Sequence, residues 1–410
     1  GTIDDARLST VSSSKLSGAL PALDGSALTG VGASFGNSSV NTSGIITATA
    51  FVPTVGQLSH RNIIINGDFR IAQRGSSSTS NGYQTVDRWA HYTGSSGVTA
   101  TFSQQGTSSS DTPYQNGFSN FFRTALSGAG TANAGAYFEL MQTIEAQDIA
   151  NSGWNFKSSS SYITLSFWVR PSTNQTFYGY LRSYDSAAYV YAFSFTASGN
   201  NTWTKITKTI AGNSNLQFDN NNGHGLLIML TPFFGTDYTN NRTLNTWNAL
   251  DSTNYFPDMA STWLTAGAST FDITGVQLEV GPVATPFEHR SYAEVLTLCQ
   301  RYYHRQSSEH QYMRYDCHGQ CPSANGAQFV FSLPVKMRAI PTIGYSQLSD
   351  FYIYASNLQA KTPTNITLSA GSTKSPMLSF EKSGTFSAGT AAHLTVPNSN
   401  QGYIEFKAEL

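Results

Sequence analysis

Ser161-Tyr162-Ile163-Thr164-Leu165-Ser166-Phe167-Trp168-Val169-Arg170, stopped by Pro171, decides the fold class. It is short, alternating and rich in β-branched and aromatic residues, which is the pattern of a strand. Working outward, Thr176 to Arg182 and Tyr189 to Thr196 flank Tyr184-Asp185-Ser186-Ala187-Ala188, which reads as a hairpin. Trp203 to Ile210, Gly225 to Leu230 and Thr270 to Val280 are further strands, separated by Gly, Asn and Ser clusters. Many strands at such spacing, with no alternation of strands and helices, predict an antiparallel sandwich from Ile63 to about Glu288.

Downstream of Pro286, Tyr292 to Tyr303 has helical spacing, with Leu296, Cys299 and Tyr303 on one face. About a hundred β-like residues follow. Ala327 to Pro334, Pro341 to Tyr345, Asn365 to Ser369, Pro376 to Phe380 and Gly402 to Ala408 are their candidate strands. Upstream, the first fifty residues hold one aromatic, Phe35, against 25 Phe, 21 Tyr and 6 Trp in the whole chain. Such a segment has no core of its own. Leu16-Ser17-Gly18 and Leu28-Thr29-Gly30 echo each other around Pro21 and Asp24-Gly25. That suits a thin rod burying its apolar residues against sister chains; a flexible linker is the competing reading.

Composition narrows the function classes. Charged residues make 11% of the 410, with net charge −1. There is no basic surplus to neutralise phosphates, so nucleic acid is a poor partner. The longest nearly apolar run, Leu226 to Phe234, is broken by Thr231 and Pro232, far short of the ~20 residues of a membrane-spanning helix. Abundant aromatics argue against disorder. Cys299, Cys317 and Cys321 cannot form a disulfide framework; one Cys317/Cys321 pair is the alternative to free thiols, which suit a chain made in a reducing cytosol. No signal peptide is visible, and the sequence starts at Gly1 without Met.

Three stretches resemble one family. Asn62-Ile63-Ile64-Ile65-Asn66-Gly67-Asp68-Phe69-Arg70, Ala72-Gln73-Arg74-Gly75 and Val86-Asp87-Arg88-Trp89 resemble the opening of the C-terminal portions of bacteriophage tail-fibre proteins. Gly275 to Gly281, Ala284 to Arg290 and Leu298-Cys299-Gln300-Arg301-Tyr302-Tyr303 resemble a second signature. Val335 to Thr342 and the closing Ala408-Glu409-Leu410 resemble a third. Leu20 to Ser26 and Val52 to Leu58 are similar to shaft segments of the same proteins. Within this frame, Asn66-Gly67-Asp68-Phe69, the Tyr162–Arg170 strand, Trp203-Thr204-Lys205 and Phe271 to Leu278 resemble jelly-roll carbohydrate-binding modules.

The resemblance implies an all-β chain: an antiparallel jelly-roll/β-sandwich domain, a short helix and a second smaller β domain, with a thin N-terminal oligomeric shaft. The expected boundaries are 1–58 for the shaft, 59–290 for the jelly roll, 291–305 for the connecting helix and 306–410 for the C-terminal β domain. Many such modules hold a structural calcium near their first and last strands. Asp68 matches an acidic position, and Asp272 approximates another, with Thr274-Gly275 replacing the acidic pair. Calcium wants six to eight oxygens, so no cofactor is certain and a structural calcium is the one raised.

Candidate chemistry reduces to sugar binding. Asp87, Glu139, Glu145 and Asp148 are present, but no spacing pairs them for glycoside hydrolysis. No Gly-x-Ser-x-Gly elbow, P-loop or His-Glu-x-x-His occurs, so no enzyme is expected. Asp87-Arg88 reads as a structural ion pair. Cys317-His318-Gly319-Gln320-Cys321 reads as an exposed polar loop, with a metal site as its competitor. Tyr178 and Tyr180 share one face of their strand, with Arg182 beside them, and phenol rings stack on sugars while their hydroxyls stay wet. With Tyr238, in an Asn-rich loop, they form the candidate glycan site; core packing is the competing role for each ring. The low charge favours a neutral or weakly charged glycan over a polyanion.

The resemblance implies a homotrimeric virion fibre made in the host cytoplasm. It would join other tail proteins through its N-terminal segment and adsorb to a host cell-surface glycan, without nucleic acid or membrane insertion. A neck or head fibre without a receptor role is the alternative, and a polysaccharide depolymerase a weaker one.

Overall fold

Tyr162–Pro171 is a strand, and Ile163, Leu165, Phe167 and Val169 on it are fully buried. The computed structural model that shows this describes residues 59–199, 201–308, 310–355, 360–397 and 401–410. The expected shaft over 1–58 lies outside the described residues. Two six-stranded antiparallel sheets face each other over 59–290. The first runs Ser77–Ser78, Ala100–Gly106, Asn120–Leu126, Thr270–Val280, Tyr162–Pro171 and Thr204–Ala211. The second runs Trp247–Ala249, Tyr189–Thr196, Thr176–Ser183, His224–Phe234, Tyr137–Glu145 and Ala90–Gly94.

The chain passes repeatedly from one sheet to the other, which is the winding of a jelly roll. Between the sheets lies one continuous core that includes Trp89, Phe102, Phe138, Phe177, Phe193 and Trp263. The predicted hairpin forms as Thr176–Ser183 against Tyr189–Thr196, in register from Thr176↔Thr196 to Arg182↔Val190. Ser186 takes a left-handed backbone in its turn (φ 58). Gly275 (φ 63) sits where the Thr270–Val280 strand bulges, and a Cβ there would lie 2.7 Å from the Phe118 ring.

The connecting helix is shorter than its spacing predicts. It spans Tyr292–Gln300, begins where Ser291 Oγ accepts from Glu294 N (3.2 Å), and buries Val295 and Cys299. Tyr303 opens a strand instead of closing the helix face, because it pairs with Lys407 at the start of a three-stranded sheet. That sheet (Tyr303–Ser307, Tyr403–Lys407, Thr342–Tyr345) packs with a six-stranded one around Phe329, Phe331, Phe351, Phe380 and Phe406. The stretch read as an exposed loop, Cys317 to Cys321, is part of the strand Cys317–Ser323, paired on both sides. Its alternation, with Cys321 buried and His318 exposed, serves the sheet. All three cysteines are free, and burial pushes the Cys317 thiol up to about 12.

Candidate functional site

Strand alternation sends Phe177 and Leu181 into the core and turns Tyr178, Tyr180 and Arg182 to the outer face of the second sheet. Residues 235–260 fold across that face. Asn245 N donates to Ala192 O (2.7 Å) and Leu250 N to Ala188 O (2.9 Å). The segment delivers Tyr255 and Phe256 onto the expected tyrosines. Phe256 lies 5.3 Å from Tyr178 and 5.8 Å from Tyr180, and Tyr255 stacks on Tyr180 at 5.1 Å and 13°. Tyr178 and Tyr180 are therefore 8% and 4% exposed and offer no open ring face. Arg182 is half-buried, its guanidinium 4.5 Å above the Tyr184 ring.

Tyr238, the fourth expected residue, does reach open space. With Tyr92, Tyr137, Glu139, Phe234, Ser252 and Tyr255 it lines a cleft of about 320 Å³. Tyr137 stands edge-on to Tyr238 (5.8 Å, 87°), and its ring fits because residue 94 is glycine; a Cβ there would lie 2.6 Å from it. Glu139 faces Tyr92 across the pair of strands. Burial pushes the Glu139 carboxyl up to about 7. Tyr92, Tyr137 and Glu139 are absent from the sequence-based glycan set. The signal for two of them is local: Tyr137-Phe138-Glu139-Leu140-Met141 alternates, with Phe138 and Leu140 in the core.

The two expected calcium carboxylates lie against arginines. Asp68 pairs with Arg70. Asp272 is fully buried and accepts from Arg123 (2.8 Å to each oxygen) and from Arg170 (2.9 Å), its direct neighbours on the adjoining strands. Among the described residues, no group of three or more His, Cys, Asp or Glu is placed to hold a metal.

The family-like motifs converge elsewhere, on a junction between the jelly roll and the C-terminal strands. Asn66 Nδ2 donates to Ile71 O and Asp87 O (2.9 Å each), and Trp89 Nε1 donates to Asn66 O (3.0 Å). Gly67 is required because a Cβ would sit 2.0 Å from Val276 O. Asp87 and Arg88 do not pair with each other. Asp87 accepts from Gln73 N (3.0 Å), and burial pushes its carboxyl up to about 6. Arg88 pairs with Glu409, donates to Thr143 O (2.6 Å) and lies 3.5 Å above the Tyr302 ring. Arg301 forks onto Glu145 with two 2.7 Å bonds, and Tyr302 OH donates to the same carboxylate (2.6 Å). Arg74 reaches Glu409 (3.1 Å) and covers the Tyr303 ring at 3.5 Å. Arg338 donates to Ala408 O and Glu409 O (2.8 Å each).

No protein-family description matches the chain, and no curated protein matches it. Among solved structures, the enzymatically active domain of a tailspike from bacteriophage CBA120 is similar over 53% of this chain and 21% of its own, at 11% identity and TM-score 0.28. A putative sugar-binding protein from Bacteroides thetaiotaomicron aligns over 53% and 99% of the two chains, at 11% identity and TM-score 0.28. A family 11 carbohydrate-binding module from Clostridium thermocellum, solved with a mixed-linked tetrasaccharide, aligns over 51% and 98%, at 10% identity and TM-score 0.24.

Proposed function

We propose that this chain is a phage virion fibre protein that binds a host-surface glycan through the cleft on the outer face of its jelly roll. The observation that carries the reading is the convergence of Tyr92, Tyr137, Tyr238 and Tyr255 around Glu139 in one open cleft. Aromatic walls stack on the apolar faces of sugar rings, and phenol hydroxyls and a carboxyl at the rim take up their hydroxyls. Cleft residues come from two paired strands, Ala90–Gly94 and Tyr137–Glu145, and from the segment that crosses the sheet. The phage assignment rests on the three motifs, in order, that resemble tail-fibre proteins. The homotrimer, the attachment through 1–58 and the adsorption role follow from that resemblance.

The test is a glycan array probed with the full chain and with Tyr255→Ala. The wild type should retain a defined set of glycans, and the variant should lose them by about tenfold or more, since one stacked aromatic contributes about 1–3 kcal/mol. No retained glycan, or identical profiles, would remove the cleft from the reading. A chain that sediments as a monomer would remove the trimer. Shortening of host polysaccharide on incubation would favour a depolymerase over a binding protein.

A further inference from the structure

We infer that the cleft selects a saccharide carrying an ammonium group, with Glu139 as its counter-ion. This rests on the cleft being the glycan site. The other buried carboxylates of the jelly roll are already committed: Asp272 to two arginines, Glu145 to Arg301 and Tyr302, Asp87 to Gln73, Asp68 to Arg70 and Glu279 to Thr285. Among the described residues, no hydrogen bond or ion pair holds Glu139, although it is half-buried. Its surroundings are aromatic on several sides. Tyr92 faces it from the edge strand, Tyr137 precedes it on its own strand, Tyr180 lies on the sheet beyond, and Tyr238 and Tyr255 come from the covering segment. Burial raises the pKa of Tyr92, Tyr137, Tyr180, Tyr184 and Tyr255, and the Glu139 charge acts in the same direction on all five. Of the five, Tyr92, Tyr137 and Tyr255 line the cleft together with Glu139.

The cations that act on this group stop short of the carboxylate. Arg182 lies over Tyr184, and Arg242 donates to Ala249 O (3.1 Å); both act on Tyr255. Rings around an unpaired carboxylate suit a ligand cation, which the ring faces attract and the carboxylate neutralises. A neutral sugar would leave the burial penalty on Glu139 in place. A bound ammonium group would offset it and hold the carboxyl ionised.

The probes are a glucosamine trisaccharide trimethylated on nitrogen, whose charge does not titrate, and its N-acetylated counterpart, each titrated calorimetrically into the full chain. At pH 8 the cationic probe should bind at least tenfold tighter. Glu139→Gln should erase that preference, so that the two probes bind the variant with equal affinity. With the carboxyl at about 7, lowering the pH from 8 to 6 should weaken the cationic probe by about tenfold in the wild type alone. Equal binding of the two probes, a preference that survives Glu139→Gln, or a flat pH profile would overturn the inference while leaving the glycan reading intact. Failure of both probes together with an empty glycan array would overturn the glycan reading itself.

Discussion

Glu409→Gln tests whether the junction holds the chain together. The Glu409 carboxylate pairs with Arg88, whose side chain is 1% exposed, and with Arg74, which is 8% exposed. Glutamine keeps the volume and removes the charge, so the buried Arg88 guanidinium loses its counter-ion, while Arg74 keeps Asp87 at 3.9 Å. Arg88 keeps its bond to Thr143 O and its contact with Tyr302, but neither supplies negative charge. Breaking a buried ion pair from one side costs about 3–5 kcal/mol. Unfolding entropy near 2.1 cal/mol/K per residue over roughly 350 residues gives about 0.7 kcal/mol/K, so Tm should fall by about 4–7 °C. Glu294→Gln is the control. Glu294 is 44% exposed and pairs with Arg290 at 3.6 Å, an arrangement expected to contribute under about 0.5 kcal/mol and to move Tm by less than about 1 °C. Differential scanning calorimetry of the three proteins at one pH and ionic strength decides the matter. If Glu409→Gln melts with Glu294→Gln, the junction is a set of surface contacts and the reasoning fails. Replacing the pair together, Arg88→Met with Glu409→Leu, should recover part of the loss, because Arg88 is no longer stranded, whereas Arg74 is left with Asp87 alone at 3.9 Å.

Two titratable groups give predictions of opposite sign. Glu139 has a folded pKa, about 7, above its ordinary value of 4.5, so the folded chain holds this proton more tightly than the unfolded one. The stabilisation is present at low pH and lost as pH rises through 7. Glu139→Gln should therefore raise Tm at pH 8, by at most about 3 kcal/mol of stability, and leave it unchanged at pH 4. His91 behaves in reverse: burial lowers it to about 4 while it stacks on Phe102 at 4.0 Å. Its contribution is complete above pH 6.5 and is lost as pH falls toward 4, so its imidazole NMR shifts should stay constant from pH 8 down to about pH 5.5.

The fold was legible because strand signals are local. Thr270 to Val280 and Tyr189 to Thr196 stand in the structure with the limits their alternation predicts. The helix limit was not, because the competitor that takes Tyr303 out of the helix is Lys407, about a hundred residues away. Site residues divide in the same way. Alternation correctly puts Tyr178 and Tyr180 on one face, but nothing near them reveals that Tyr255 and Phe256 return to cover it. A strand face is a two-residue repeat; a covered strand face is a tertiary fact. The same distinction explains the motifs. Arg74, Arg88, Arg301, Tyr302 and Tyr303 read as strings do not show which distant groups they meet, although buried charge is costly without a partner. In the structure each charge meets a partner or a ring far along the chain, and the motifs join the jelly roll to the C-terminal strands. In a chain with 11% charged residues, this concentration is informative. Among the described residues eight Asp, Glu and Arg side chains are buried, several of them at the junction or at Asp272, while the cleft is lined mainly by rings. Glu139 stands apart from these: it is a half-buried carboxylate in the cleft with no partner among the described residues. Partner atoms from a ligand would bring it into line with the other buried carboxylates, and that is why the specificity of the cleft is best sought there.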